Sequence, residues 1–198
     1  MAVIRAFIAI DISPEIAQRL RVISEELQDS LRGVPVRWVP VENIHITLKF
    51  LGDVSESNLD LLKEMIVSET SRHAPLEISA GELGAFPSIR RPRVLWVNVQ
   101  APPELVALQR AIDNETARLG YDREDRPFSP HLTLGRVSRN ANSTDARRIS
   151  EVLEGYKLGY IGAARIREVI LYRSDLYPSG AVYTSIFAGK LAARKDIP

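Results

Sequence analysis

The chain has 198 residues, of which 45% are hydrophobic and 26% are charged, a composition typical of a globular protein with one large domain or two small lobes. It contains no cysteine and three histidines, which excludes disulfides, thiolate metal sites and a cysteine nucleophile and leaves little for a multi-histidine metal site. Because the formal net charge is +1, binding of a polyanion would depend on a local patch and not on the whole molecule.

No segment is predicted to be a secretory signal or a membrane-spanning helix. The apolar start, residues 1–12, is short and is interrupted by Arg5 and Asp11. No run approaches the ~20 apolar residues that a span needs. The polar end from Lys190 to Pro198 is expected to fray. We therefore expect a cytoplasmic protein without a membrane partner.

The first half of the chain predicts a strand, a helix and a second strand. An apolar run over residues 5–10 is typical of a β-strand. Ser13 is a predicted N-cap, Pro14 a first helical position and Gly33 a helix end. The second strand carries His45-Ile46-Thr47-Leu48. Apolar residues at helical spacing mark the buried face of the helix: Ile16, Leu20, Ile23, Leu27 and Leu31.

The second half repeats this order. A strand begins at Arg93, a helix begins at the two prolines before Glu104 and ends at Gly120, and the next strand carries His131-Leu132-Thr133-Leu134. Arg5 precedes His45 by 40 positions, and Arg93 precedes His131 by 38. These spacings predict an internal repeat over residues 3–80 and 91–172.

Further elements are predicted after each histidine strand. Helical patterns follow over residues 55–67 and 143–153, and a turn is predicted over 178–180 between the last two strands. The fold class is therefore predicted as α+β and bilobal, with two pseudo-symmetric lobes whose antiparallel sheets are flanked by helices. Residues 1–198 would form a single catalytic domain whose histidine motifs face a central cleft, and strands can be exchanged between lobes without breaking the repeat.

The histidine strands carry the chemistry. Residues i and i+2 of a strand share a face, so His45 lies beside Thr47 and His131 beside Thr133. Two imidazoles on opposite sides of a phosphorus atom can act as general acid and general base in phosphodiester cleavage. Threonine hydroxyls can donate to the non-bridging oxygens. This chemistry requires no metal and no cofactor.

A single His-x-Thr is more often structural than catalytic. Here two of the three histidines have threonine two positions later, and they occupy matched places of the repeat. The whole chain contains only six threonines, so this coincidence is rare by chance. A duplication retained for packing would explain the repeat. It would not explain why both copies keep these polar residues on one face.

The chain resembles the two-histidine (2H) phosphoesterase superfamily, and within it the RNA 2′,3′-cyclic phosphodiesterases, historically called 2′-5′ RNA ligases. The matching segments run along the whole chain: residues 5–10, 38–40, 43–48, 50–52, 86–87, 91–96, 128–136, 171–174 and Tyr183. The paired motif is highly specific for the superfamily, and the flanking segments indicate the family less strictly.

The resemblance implies hydrolysis of RNA 2′,3′-cyclic phosphate ends to 2′-phosphomonoesters, with tRNA fragments among the candidate substrates. It implies that His45 is the proton donor and His131 the proton acceptor, a choice that the two near-equivalent motifs leave open. It implies a phosphate-binding role for Arg136. We also expect no cofactor and a monomer. The reverse reaction would be 2′-5′ RNA ligation through the same residues with exchanged roles. Two alternatives stay open: a cyclic phosphodiesterase for a small nucleotide or an ADP-ribose cyclic phosphate, and a non-catalytic RNA- or nucleotide-binding module.

Strict alternation would point Arg136 away from His131, unless a bulge at Gly135 re-aims it. The same alternation points Phe50 away from His45, toward the core, and places Lys49 on the face of His45. Lys49 is then either a site residue or a solvated lysine at the end of the strand.

Four other side chains are candidates of lower weight. Phe7, Trp38 and Phe128 could stack on a nucleobase. The favoured interpretation is packing in the core for Phe7 and Phe128, and closure of a helix-to-strand corner for Trp38. Asp11 could orient a histidine, but it lacks the spacing of a metal ligand to one.

Overall fold

The computed structural model describes residues 3–178 and 180–192. Ser179, in the predicted turn, and the polar end from residue 193 lie outside the described residues. The described elements are four helices, two short 3-10 turns and nine strands. The helices are α1 (Pro14–Ser30), α2 (Leu59–Thr70), α3 (Pro103–Arg118) and α4 (Ser143–Gly155). The strands are β1 (Val3–Asp11), β2 (Val36–Trp38), β3 (His45–Ser55), β4 (Leu76–Ser88), β5 (Arg91–Gln100), β6 (His131–Val137), β7 (Tyr160–Ile166), β8 (Glu168–Tyr177) and β9 (Gly180–Lys190).

The strands form two antiparallel sheets, as the α+β prediction requires. The first sheet has the order β3-β1-β8-β9 and the second has the order β2-β6-β5-β4-β7. The two halves of the chain exchange strands: β4 follows the first histidine strand but lies in the second sheet, whereas β8 and β9 return to the first. Each sheet is thus completed by strands from the other half of the sequence.

Helices are exchanged in the same way. Helix α1 contacts β7 and α4 contacts β5, both in the second sheet, while α2 contacts β8 and β9 and α3 contacts β3 in the first. Helix α1 begins as predicted, because the Ser13 hydroxyl accepts a hydrogen bond from the Ile16 backbone at 3.3 Å and Pro14 occupies the first turn. Its buried face includes Ile16, Leu20 and Leu27. Burial of these apolar faces against the sheets holds the two histidine strands in place.

The described helices include none that is long and apolar enough to cross a membrane.

Candidate active site

The two histidine strands meet between the sheets. Strand β3 is an edge of the first sheet, β6 belongs to the second, and the two strands contact each other. The first seven residues of the two strands have the same pattern of burial. In each strand the histidine and the threonine are half-buried, and the residue between them is buried. The site is therefore built from two equivalent strands, one from each lobe.

Both imidazoles are oriented in the same way by the backbone. Nδ1 of His45 lies 2.8 Å from the carbonyl oxygen of Asn43, and Nδ1 of His131 lies 2.7 Å from that of Ser129. A carbonyl oxygen can only accept, so each Nδ1 carries a proton and donates it. In the neutral ring Nε2 is then the free acceptor, available for chemistry in both histidines.

Aromatic rings fix the two histidines further. The Phe7 ring stacks on His45 with centroids 4.7 Å apart, and Tyr183 meets His45 edge-on at 5.4 Å. Phe86 meets His131 edge-on at 4.9 Å. Phe7 is 3% exposed, which confirms the core interpretation, because its ring faces are used inside the protein and are closed to a nucleobase. These contacts restrict ring rotation, so Nε2 keeps one direction.

A β-bulge in each strand determines on which face the side chains after the threonine lie. In β6, Thr133 is opposite Trp96 and Gly135 is opposite Leu95, so Leu134 is one extra residue. The bulge reverses the alternation and leaves Arg136 exposed on the face of His131. The predicted bulge is present, centred one residue before Gly135. Glycine fits there, because a Cβ on it would lie 2.8 Å from Val36 Cγ1.

The matching bulge in β3 overturns the expectation for Phe50. Thr47 is opposite Ala9 and Lys49 is opposite Ile8, so Leu48 is the extra residue. Phe50 then occupies the position equivalent to Arg136 and is 62% exposed on the face of His45, not in the core. Sequence alternation missed this exposed aromatic ring beside the site.

Lys49 is neither a site residue nor solvated. The same bulge turns it into the interior, where its side chain is 4% exposed. Its Nζ lies 2.5 Å from Asp113 Oδ1 and also donates to the backbone carbonyl of Asp122. Lys49 therefore ties β3 to α3 behind the site.

Electrostatics link Arg136 to both imidazoles. Burial lowers the pKa of His45 and of His131, and the hydrogen bonds to backbone carbonyls oppose this shift. The positive charge of Arg136 lowers the pKa of both rings, and the charge of His131 lowers that of His45. The two imidazoles therefore lie within range of the charge of Arg136.

Asp11 distinguishes the two halves of the site. It is opposite His45 in the β1–β3 ladder, and its negative charge acts to raise the pKa of His45. Tyr172 Oη donates to both Asp11 carboxylate oxygens, at 2.7 and 2.9 Å. Burial and these hydrogen bonds raise the pKa of Tyr172, which stays a donor. The residue opposite His131 is Asn98, which is neutral.

The other aromatic candidates, Trp38 and Phe128, pack on the core. Trp38 is partly buried against the core and lies beside Gly135, and Phe128 also packs against the core.

Solved structures of LigT share this arrangement of sheets. The crystal structure of E. coli LigT complexed with 3′-AMP is 26% identical, with a TM-score of 0.74 and a match covering 96% of this chain and 99% of that one. That of TT0787 of Thermus thermophilus has a TM-score of 0.76 over 96% and 99% of the two chains at 24% identity, a similarity in fold alone.

The sequence comparisons identify the family. The profile described as LigT like Phosphoesterase matches residues 10–96 and again residues 97–183. The RNA 2′,3′-cyclic phosphodiesterase of Methanothermobacter thermautotrophicus is 36% identical over 92% of this chain and 96% of its own length. That of Archaeoglobus fulgidus is 34% identical over 92% and 97%. The chain belongs to the LigT-like phosphoesterase family, as the sequence resemblance predicted.

Proposed function

We propose that this protein hydrolyses RNA 2′,3′-cyclic phosphate ends to 2′-phosphomonoesters by general acid–base catalysis. The observation that carries the proposal is the pair of imidazoles, each with Nδ1 bound to a backbone carbonyl and Nε2 free, around the charge of Arg136. The relatives named RNA 2′,3′-cyclic phosphodiesterase support the substrate class. The exposed ring of Phe50 favours a nucleotide over a bare sugar phosphate, because aromatic side chains stack on nucleobases.

The reaction assigns one step to each residue. Nε2 of His131 takes a proton from water as the water oxygen attacks phosphorus. The bond from phosphorus to the 3′ oxygen breaks, and Nε2–H of His45 protonates that oxygen, which leaves a 2′-phosphate and a 3′-hydroxyl. Thr47 and Thr133 donate hydrogen bonds to the non-bridging oxygens, and Arg136 offsets the developing charge. Acid, base and charge stabilisation all come from side chains, so we propose that no metal takes part.

The difference between Asp11 and Asn98 supports one direction of proton transfer. Burial lowers the pKa of His45, and the Asp11 carboxylate opposite the ring opposes this shift, so it favours the imidazolium form that a proton donor needs. Asn98 gives His131 no such stabilisation, and the neutral ring is the form of a proton acceptor. This supports His45 as the donor and His131 as the acceptor.

The cellular setting belongs to the same proposal. Both histidines come from one chain, so the site needs no second copy, and we infer a monomer that acts in the cytoplasm. Fragments of structured RNAs such as tRNA are proposed substrates, because cleavage by a 2′-hydroxyl leaves a 2′,3′-cyclic phosphate. Ligation is proposed as the reverse reaction at a 5′-hydroxyl end.

Product identification tests the function. An RNA oligonucleotide ending in a 2′,3′-cyclic phosphate is incubated with the protein in excess EDTA, and the end group is assigned by phosphorus NMR. We expect complete conversion to the 2′-phosphate. A 3′-phosphate would contradict the assigned bond cleavage, loss of turnover with EDTA would contradict the metal-free mechanism, and binding without turnover would favour a binding module. A higher kcat/KM on ADP-ribose cyclic phosphate would favour the small-molecule alternative.

Two single substitutions, Asp11→Asn and Asn98→Asp, test the direction of proton transfer. Turnover needs protonated His45 and neutral His131, so a lower pKa of His45 reduces the active fraction. Asp11→Asn should lower kcat/KM at pH 8 by tenfold for each unit by which the pKa of His45 falls. Asn98→Asp should raise the pKa of His131 and lower activity at pH 6 instead. Imidazole NMR titrations measure both pKa values, and kcat/KM is followed from pH 5 to 9.

The opposite assignment gives the opposite sign. If His45 were the base, Asp11→Asn would leave activity at pH 8 unchanged or higher. Asn is nearly isosteric with Asp and can still accept a hydrogen bond from Tyr172, so the packing around His45 is retained.

A further inference from the structure

A second exposed arginine lies beside Arg136. Arg37, the central residue of β2, is the direct cross-strand partner of Arg136 in β6. Directly opposed residues of an antiparallel pair project to the same face. Val36 and Trp38, on either side of Arg37, lie against the position of the missing Cβ of Gly135 and pack on the core. Arg37 therefore projects to the face that carries Arg136, and both residues are exposed.

The pair places two positive charges together. Like charges directly opposite each other in a ladder repel and destabilise the strand pair. Within residues 3–178 and 180–192, neither guanidinium forms an ion pair or a hydrogen bond with a protein group. Some arginines of the chain do have acidic partners, for example Arg21 with Glu42 at 2.8 Å and Arg147 with Glu151 at 2.8 Å. An anion from outside the chain would turn this repulsion into attraction.

We propose that Arg37 binds the phosphodiester immediately 5′ of the terminal nucleotide of an RNA substrate. The inference rests on the proposed function, in which Arg136 acts at the cyclic phosphate. Two guanidinium groups on adjacent strands then meet two consecutive phosphates of one RNA strand. Guanidinium suits this task because its fork of N–H donors matches the oxygens of a phosphate. Arg37 makes the protein selective for oligonucleotide ends over mononucleosides with the same cyclic phosphate.

The experiment compares three substrates that share one terminal cyclic phosphate: a mononucleoside, a dinucleotide, and a dinucleotide whose internal linkage is an uncharged methylphosphonate. Wild-type protein should prefer the charged dinucleotide. Arg37→Gln should lower the ratio of kcat/KM for the charged dinucleotide to that for the mononucleoside about tenfold, chiefly through KM. On the uncharged dinucleotide the wild type should already have lost this advantage, and Arg37→Gln should add no further loss. The salt dependence of binding should fall by about one phosphate contact.

Arg110→Gln is the matched control, because Arg110 is an exposed arginine on α3, away from β2 and β6, and its loss changes the net charge equally. The control should keep the wild-type ratio. An unchanged ratio in Arg37→Gln, or an equal loss with the charged and the uncharged dinucleotide, would overturn the inference. Absence of wild-type turnover on all three substrates would instead reject the proposed function, and this inference with it.

Discussion

Replacing either His45 or His131 by glutamine lowers kcat by about 10²- to 10⁴-fold, the range that a positioned general acid or base contributes. In each imidazole Nδ1 is held by a backbone carbonyl and Nε2 is free, and glutamine provides no group that exchanges a proton near neutral pH. The double variant should lose little more than either single one, because one proton donor without its acceptor retains little of the paired mechanism. Single-turnover kinetics on the cyclic-phosphate oligonucleotide measure these losses.

His73 offers the control. It follows α2, and its backbone carbonyl accepts a hydrogen bond from Ala192 at 2.9 Å, outside the strands that form the site. His73→Gln should keep wild-type turnover. Urea unfolding curves of all variants separate catalysis from folding. Near-wild-type turnover in a folded His45→Gln or His131→Gln protein would refute the assigned site.

Alternation predicts which side chains share a face of the histidine strands as far as the threonines, but not beyond them. Alternation correctly places His45 with Thr47, because the strand is regular over these residues. It fails at Lys49 and Phe50, because the bulge depends on how β3 pairs with β1. In the second strand Gly135 signals the bulge, whereas the equivalent residue of the first strand is Lys49. An alignment of residues 45–50 with residues 131–136 would have predicted a bulge in the first strand from the glycine in the second.

The difference between Asp11 and Asn98 depends on register. Aligning the repeats on Arg5 and Arg93 pairs Asp11 with Val99, and the asymmetry disappears. In the structure Asp11 and Asn98 occupy the same place, each opposite a histidine, one residue away from that alignment. A shift of one residue exchanges the two faces of a strand, so local pattern cannot recover which groups oppose the histidines.

The exchange of strands between lobes is also beyond local pattern. The predicted strands that form β4, β8 and β9 have no feature that assigns them to one sheet or the other, because both sheets bury similar apolar residues. The repeat predicts two equivalent lobes. Which half of the chain completes each lobe is decided by long-range pairing.

Asp113→Asn should lower the free energy of unfolding by about 3–5 kcal/mol, because it leaves the ammonium group of Lys49 buried without its counter-charge. The Lys49 side chain is 4% exposed and cannot reach solvent without opening the packing of β3 against α3. Urea unfolding followed by tryptophan fluorescence measures the loss. Since β3 carries His45 and Thr47, the destabilised variant should also lose activity at a lower urea concentration than the wild type.

Two further variants separate the buried pair from general effects of charge. Asp60→Asn removes the acid of an exposed ion pair, Asp60–Lys63 at 2.8 Å, and should cost about 1 kcal/mol or less. The double variant Lys49→Met with Asp113→Leu removes both charges and should lose less stability than Asp113→Asn, since no ion remains uncompensated in the interior. If Asp113→Asn cost no more than Asp60→Asn, the pair would be solvated in solution. That result would contradict the buried position of Lys49, and the interior orientation that the bulge after Thr47 gives its side chain would be wrong.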